Sequence, residues 1–340
     1  MAAHSPVIHA TQLTAAFDEA QYLTANRGVA EAIEKGRLVS GWHHFISSGY
    51  REDRRGVAQQ LVQAVRDISS AGANEPLPPE RLRVRVHGAG DLPSFENMGR
   101  VVNFDLLRAL ATEGAELPPG SRVLDFGCGC GRVIRYLRHV FPGRELVGTD
   151  VDREAIAWSS GQLSHLGTFL VNGEWPPLAF PDERFDLVCA ISIFTHLPEK
   201  MQFAWLGELQ RVTRKGGYAL LTVHGPGVFE TSQAERRVAE EQHWATVRPR
   251  MWKQLRRLGN LAAQRISLAE GTARHARRFS RDGFFYLVAE KTPGLPDFYH
   301  TSFHTEQYIH DRWSKFFEIR RIVQRGIGNN QDLVLCRRKN

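Results

Sequence analysis

The chain has 340 residues, 42% of them apolar, and its 44 Lys and Arg against 37 Asp and Glu give a formal net charge of +7. That balance is ordinary for a globular protein and excludes a disordered, collagen-like or disulfide-stapled chain. No run reaches the ~18 apolar residues of a membrane span. The N-terminal Met1–Pro6 shows no signal-peptide pattern and the four cysteines show no secreted-type framework, so a cytoplasmic protein without a membrane partner is expected.

In chain order, residues 10–71 read as helical. Leu13, Phe17, Ala20 and Leu23 recur near the helical period, as do Val57, Leu61, Ala64, Val65 and Ile68, with Trp42, Phe45 and Tyr50 in the Ser/Gly-rich sequence between. After Pro76, Pro78 and Pro79, the stretch Leu82–Gly88 alternates apolar and basic residues, which predicts a short strand or extended arm. Gly88, Gly90 and Pro93 break it, and a helix is expected over 95–112. Residues 1–94 thus form a mainly helical cap, and 95–340 the main domain.

The main domain opens on Val123-Leu124-Asp125-Phe126, then Gly127, Gly129 and Gly131 at alternate positions, then Arg132 and the apolar Val133–Leu137. This is a buried strand, a glycine turn and a helix whose first N–H groups aim at a ligand. A second strand, Glu145–Asp150, ends on an acid able to accept hydrogen bonds from a ribose diol. A nucleoside-bearing cofactor follows. The dinucleotide fingerprint needs glycine at its sixth position, where this chain has Arg132, which counts against NAD and FAD. Strands at 168–172, 185–191 and 218–223 alternate with helices at 152–166 and 199–213, the last stopped by Arg214-Lys215-Gly216-Gly217, so the sheet is parallel with helices on both faces. Two further strands, 316–323 and 332–336, flank Gly326–Asn330 as a hairpin.

The acid-x-glycine-x-glycine-x-glycine pattern, Asp150 and this strand order resemble the class I S-adenosylmethionine-dependent methyltransferase superfamily over about 95–228 and 298–338. The resemblance implies a Rossmann-like α/β fold: a seven-stranded, mostly parallel sheet with an antiparallel C-terminal hairpin. It implies S-adenosyl-L-methionine as cofactor. Gly127, Gly129 and Gly131 would lie along its methionine and ribose. Asp125 would orient the turn and the amine, Asp150 would hold the ribose and Val151 would flank the adenine. Asn172 with Gly173 would meet the adenine edge, Ile191 would face the amine, and Arg132 would pair with the methionine carboxylate. Segments before the first motif often close over the cofactor in such enzymes, and Arg85, His87, Phe95 and Asn103 are candidates here.

Candidate bases are His196 after the fourth strand, His224 after the fifth, and Tyr299, His300 and His304 in the aromatic segment 298–305. Cys128 and Cys130 alternate within a ligand-holding turn, so no metal is expected. Between Arg248 and Arg281 stand ten Arg or Lys and one acid, Glu270, and apolar positions from Trp244 to Leu261 keep helical spacing. The insertion 229–297 therefore carries a basic amphipathic helix: a solvated arm, a contact in a homodimer, or a lid attracting an anionic or carrier-bound substrate. Nucleic acid is disfavoured, because Ser192–Thr195 replaces the Asn/Asp-Pro-Pro-aromatic run of many base-amine methylating enzymes. The expected activity is methyl transfer to O or N of a small molecule. Cyclisation of the cofactor's aminobutyrate part, and methylation of RNA or a peptide on the basic insertion, are the alternatives.

Overall fold

The computed structural model describes residues 17–115, 117–236, 238, 273–288 and 294–340. The proposed basic helix at 244–261 lies outside these residues.

Alternation along each strand builds the core. In β4 (Phe185–Ala190), Leu187 and Cys189 face one side of the sheet and Val188 and Ala190 the other. Likewise Leu220 and Leu335 lie on the first face, and Leu221 and Val334 on the second. Both faces are covered, which is what near-continuous apolar strands require. The strands β1 (Arg122–Phe126), β2 (Glu145–Asp150), β3 (Thr168–Val171), β4, β5 (Thr213–Val223), β8 (Glu318–Ile327) and β9 (Gln331–Arg337) form one sheet in the order β3-β2-β1-β4-β5-β9-β8. The first five run parallel, and β9 pairs antiparallel with β5 and β8. The order reverses beside β1, which opens a ligand crevice at the carboxyl ends of β1 and β4.

Before the sheet the described residues form α1 (Glu19–Ala25), α2 (Arg27–Glu34), α3 (Gly41–Ser47), α4 (Gln59–Ala73) and α5 (Glu80–His87). Trp42 and Phe45 lie within α3, whose N-cap Ser40 accepts from His43 N, and not in a linker. They share one core with α6 (Leu92–Thr112), α7 (Ile134–Val140) and the first sheet face. α8 (Arg153–Gln162) joins β2 to β3. The second face is covered by α9 (Glu199–Val212) and α10 (Glu306–Trp313).

Three expectations are corrected. The 82–88 stretch is the helix α5: Leu82 is buried and Val84 is 37% exposed, so the alternation does not mark two sheet faces, and Gly88 ends the helix in the left-handed conformation. α6 starts at Leu92, where Asp91 caps Ser94 N and Pro93 fits the first turn. α9 runs straight into β5 at Thr213, so Gly216 and Gly217 lie within the strand and stop no helix. The aromatic segment forms β7 (Thr301–His304), paired with β6 (Phe284–Leu287) in a small separate sheet. A helix at 226–236 leads into the insertion, and 273–282 within it are helical. No helix of the described residues is long and apolar enough to cross a membrane.

Candidate functional site

The turn after β1 is fastened to β2 by its backbone. Gly127 N and Cys128 N both donate to Thr149 O, at 2.7 and 3.0 Å. Asp150 completes the brace: its carboxylate accepts from Gly129 N at 2.7 Å and Asp152 N at 2.8 Å. Gly127 and Gly129 have φ of 77° and 51°, which L side chains rarely adopt. A Cβ on Gly127 would strike Ile193, and one on Gly129 would strike Val86. Gly131 packs towards Leu163 of the segment after α8 and not towards the cleft. α7 begins at Ile134, two residues beyond Arg132, so turn residues intervene between the glycines and the helix.

Above this turn lies a cleft with about 920 Å³ of empty space, part of it open to solvent. Of the expected cofactor residues, Asp125, Gly127, Gly129, Arg132, Asp150, Val151, Asn172 and Ile191 line it, and Gly131 and Gly173 do not. α5 covers it. Arg85 pairs with Asp152 and Glu154, both at 2.9 Å, and His87 Nδ1 takes a hydrogen bond from Arg132 at 3.1 Å. The other ring nitrogen of His87 lies 2.8 Å from Ser94 Oγ, so the imidazole bridges α6 to Arg132. Phe95 packs edge-on to His87, whereas Asn103 bonds Gly99 O and Val133 O inside the core and takes no part in the cleft. Arg85→Ala is expected to speed amide exchange over 80–87, because the helix loses its hold on α8. Unchanged exchange would show that the ion pairs do not secure it.

Asp125 and Arg132 are both buried without forming an ion pair, and Asp125 Oδ2 and Arg132 Nε have no hydrogen-bond partner. Burial, then the neighbouring Asp150, pushes the Asp125 carboxyl up to about 7. Burial also lowers the Arg132 pKa. Asn172 Oδ1 is likewise buried and unpartnered.

A second cleft, with about 940 Å³ of empty space, adjoins the first and shares Arg85, Val86, Arg132, Ile191, Ser192, Leu295 and Tyr299 with it. Its own lining adds His87, His196, Met98, Val102, Ile327 and Gln331. The loop after β4 is fastened to β7 and the residues before it: Ser302 N donates to Thr195 O at 2.7 Å, and His300 N to His196 O at 3.3 Å. His196 Nδ1 donates to His300 O at 2.6 Å, and its ring stacks on Tyr299 at 4.0 Å. Burial lowers the His196 pKa to about 4 and raises that of the Tyr299 phenol well above its usual value.

The structure therefore brings His196 and Tyr299 to the clefts. His224, His300 and His304 line neither. His304 is a core residue 2.8 Å from Gln202 Oε1, and His224 stands edge-on behind His196 with its ring centroid 6.1 Å away. Sequence reasoning missed Val86, Ile193, Ser192 and Gln331. Ser192 has a left-handed φ of 61°, and its hydroxyl lies 2.8 Å from Gln331 Nε2. Its place just after β4 was the available signal; Gln331, from the far end of the chain, gave none.

Residues 123–217 match the family described as a methyltransferase domain. S-adenosyl-L-methionine is the cofactor that the sequence resemblance to class I methyltransferases implies. The domain is 33% identical over 121 residues to a fatty-acid O-methyltransferase of Mycolicibacterium smegmatis, covering 36% of this chain and 43% of that one. It is 33% identical over 120 residues to a malonyl-[acyl-carrier protein] O-methyltransferase of Pectobacterium atrosepticum, covering 35% and 45%. The matches thus span less than half the length of these relatives. A solved S-adenosylmethionine-dependent methyltransferase from Aquifex aeolicus aligns over 77% of this chain and 100% of its own, at 15% identity and a TM-score of 0.41.

The side chains of the cleft fit that cofactor. A buried carboxylate and a buried guanidinium in one cleft, neither in an ion pair, would match the ammonium and carboxylate of an amino-acid tail. The Asp150 carboxylate keeps acceptor capacity beyond its two backbone bonds, which suits a diol. One consequence is measurable. With its carboxyl raised to about 7, Asp125 would ionise beside the cofactor's ammonium group, so binding of S-adenosylhomocysteine at pH 6 is expected to release protons that Asp125→Asn does not release. Equal proton release by the two proteins in buffers of different ionisation enthalpy would remove Asp125 from this role.

Proposed function

We propose that the protein transfers the methyl group of S-adenosyl-L-methionine to an oxygen or nitrogen of a small molecule held in the second cleft. The observation that carries this reading is the shared wall: a cofactor cleft and a second cleft meet at Arg132, Ile191, Ser192 and Tyr299. The cofactor, when bound, supplies a methyl already activated by a sulfonium. The protein's task is then alignment, which can contribute ~7–11 kcal/mol. Asp150, Asn172 and Val151 would hold the nucleoside, Asp125 and Arg132 the amino-acid tail, and α5 with the 294–299 segment would exclude water.

His196 is the group suited to take the acceptor's proton. Its Nδ1–H is committed to His300 O, which leaves the Nε2 lone pair. Burial keeps the ring neutral at pH 7. A weak base suffices for an alcohol, because its oxygen becomes a strongly acidic oxonium once alkylated. Val84, Val86, Met98, Val102, Leu295 and Ile327 give the second cleft apolar walls, which favours an acceptor with an apolar body. The relatives named for O-methylation of a fatty acid and of a carrier-bound malonyl group support oxygen as the accepting atom. On this reading the protein acts as a small-molecule enzyme, with residues 1–94 as the cap of the site.

Incubation with methyl-labelled cofactor and a panel of apolar-bodied acids and alcohols tests the proposal. Label in an acceptor with S-adenosylhomocysteine as co-product supports it. Methylthioadenosine retaining the label would replace it with cyclisation or cleavage of the aminobutyrate part.

A further inference from the structure

The hairpin that lends Ile327 and Gln331 to the second cleft also borders a third, separate one, with about 890 Å³ of empty space between α3, α6 and β8. We propose that this third cleft binds a small, multiply charged phosphoryl anion, of the diphosphate or polyphosphate class.

Three guanidinium groups, Arg108, Arg321 and Arg325, line it together with His43. None of the three makes an ion pair among the described residues, whereas the adjacent Arg320 is taken by Glu113 and Glu318. The acids nearby are already committed. Asp105, the one acid in the lining, accepts from Trp42 Nε1 at 3.1 Å and from Gly328 N at 2.9 Å. Glu19 accepts from the backbone of Gly41 and Trp42. Asp332 accepts the backbone N–H of Arg325, not its guanidinium.

Arg108 is half-buried over the Trp42 ring, 5.0 Å from its centroid, where desolvation makes an unpaired cation costly. Arg325 is held in the left-handed conformation at φ 51°, with its Nε on Asn329 O at 3.1 Å. The cleft therefore presents three guanidinium groups of one charge and no free acid among the described residues. Guanidinium forks match phosphoryl oxygens bidentately, and several of them match a multiply charged group better than a single carboxylate. The site is independent of the cofactor cleft. It touches that chemistry only through Gly328, whose hydrogen bond to Asp105 secures the turn that carries Ile327 and Gln331.

Calorimetric titration with inorganic pyrophosphate at constant ionic strength tests this. Saturable binding is expected, weakened about tenfold or more by Arg108→Gln and by the double variant Arg321→Gln with Arg325→Gln, and unchanged in Arg320→Gln. Thermal melts by circular dichroism show whether each variant folds. If Arg108→Gln does not, the exposed pair carries the test. No saturable binding, equal affinity in all variants, or the same response to chloride would overturn the proposal.

Discussion

Replacing His196 by glutamine should lower kcat by about 10²–10⁴-fold while leaving S-adenosylhomocysteine affinity unchanged. The imidazole lines the second cleft alone, so its loss removes the proton acceptor without touching the cofactor's contacts. Its pKa near 4 sets a second expectation: the acid limb of kcat/KM lies well below pH 6.5, because the ring stays neutral until protonation overcomes its burial. A glutamine variant that turns over at the wild-type rate would assign His196 to packing against Tyr299 instead. A limb near pH 6.5 would show a base exposed to water.

Replacing Asp150 by alanine should weaken S-adenosylhomocysteine binding by about 1–3 kcal/mol, or roughly 5–150-fold. Two losses combine. The nucleoside loses a charged acceptor, and Gly129 N and Asp152 N lose the carboxylate that braces the turn. Asp150→Asn separates them, since its one carbonyl oxygen can brace a single N–H. The asparagine variant should bind with intermediate affinity. An alanine variant with wild-type affinity, measured by calorimetry, would mean that Asp150 only shapes the turn.

The sheet was legible because each strand carries its own signal. Val123–Phe126, Phe185–Ala190 and Tyr218–Val223 are nearly continuous apolar runs, broken only by Asp125, Asp186 and Thr222, of the kind a doubly covered sheet accommodates. Glycine at 127 and 129 and an acid at 150 mark the cofactor cleft for the same local reason. What misled was periodicity in a short basic stretch: Leu82, Val84 and Val86 alternate, yet α5 buries Leu82, packs Val86 over Gly129 and leaves Val84 partly exposed at the second cleft. The Lys-Gly-Gly segment misled because glycine marks helix ends and irregular strands alike. The histidines divided on tertiary facts alone. His196 and His304 both sit among aromatics, but the strand β7 points His304 at Gln202 in the core and brings the carbonyl of His300 to His196. Nothing local to 325–331 announces that this turn walls two clefts.

The central claim is that the bare backbone between β1 and α7 receives a sulfur-charged nucleoside with an amino-acid tail. Titration of the protein with S-adenosylhomocysteine, NAD and FAD tests it most directly. The account predicts one S-adenosylhomocysteine site per chain, lost when Gly129 is replaced by valine, and no binding of either dinucleotide there. Saturable binding of NAD or FAD that displaces S-adenosylhomocysteine would contradict it.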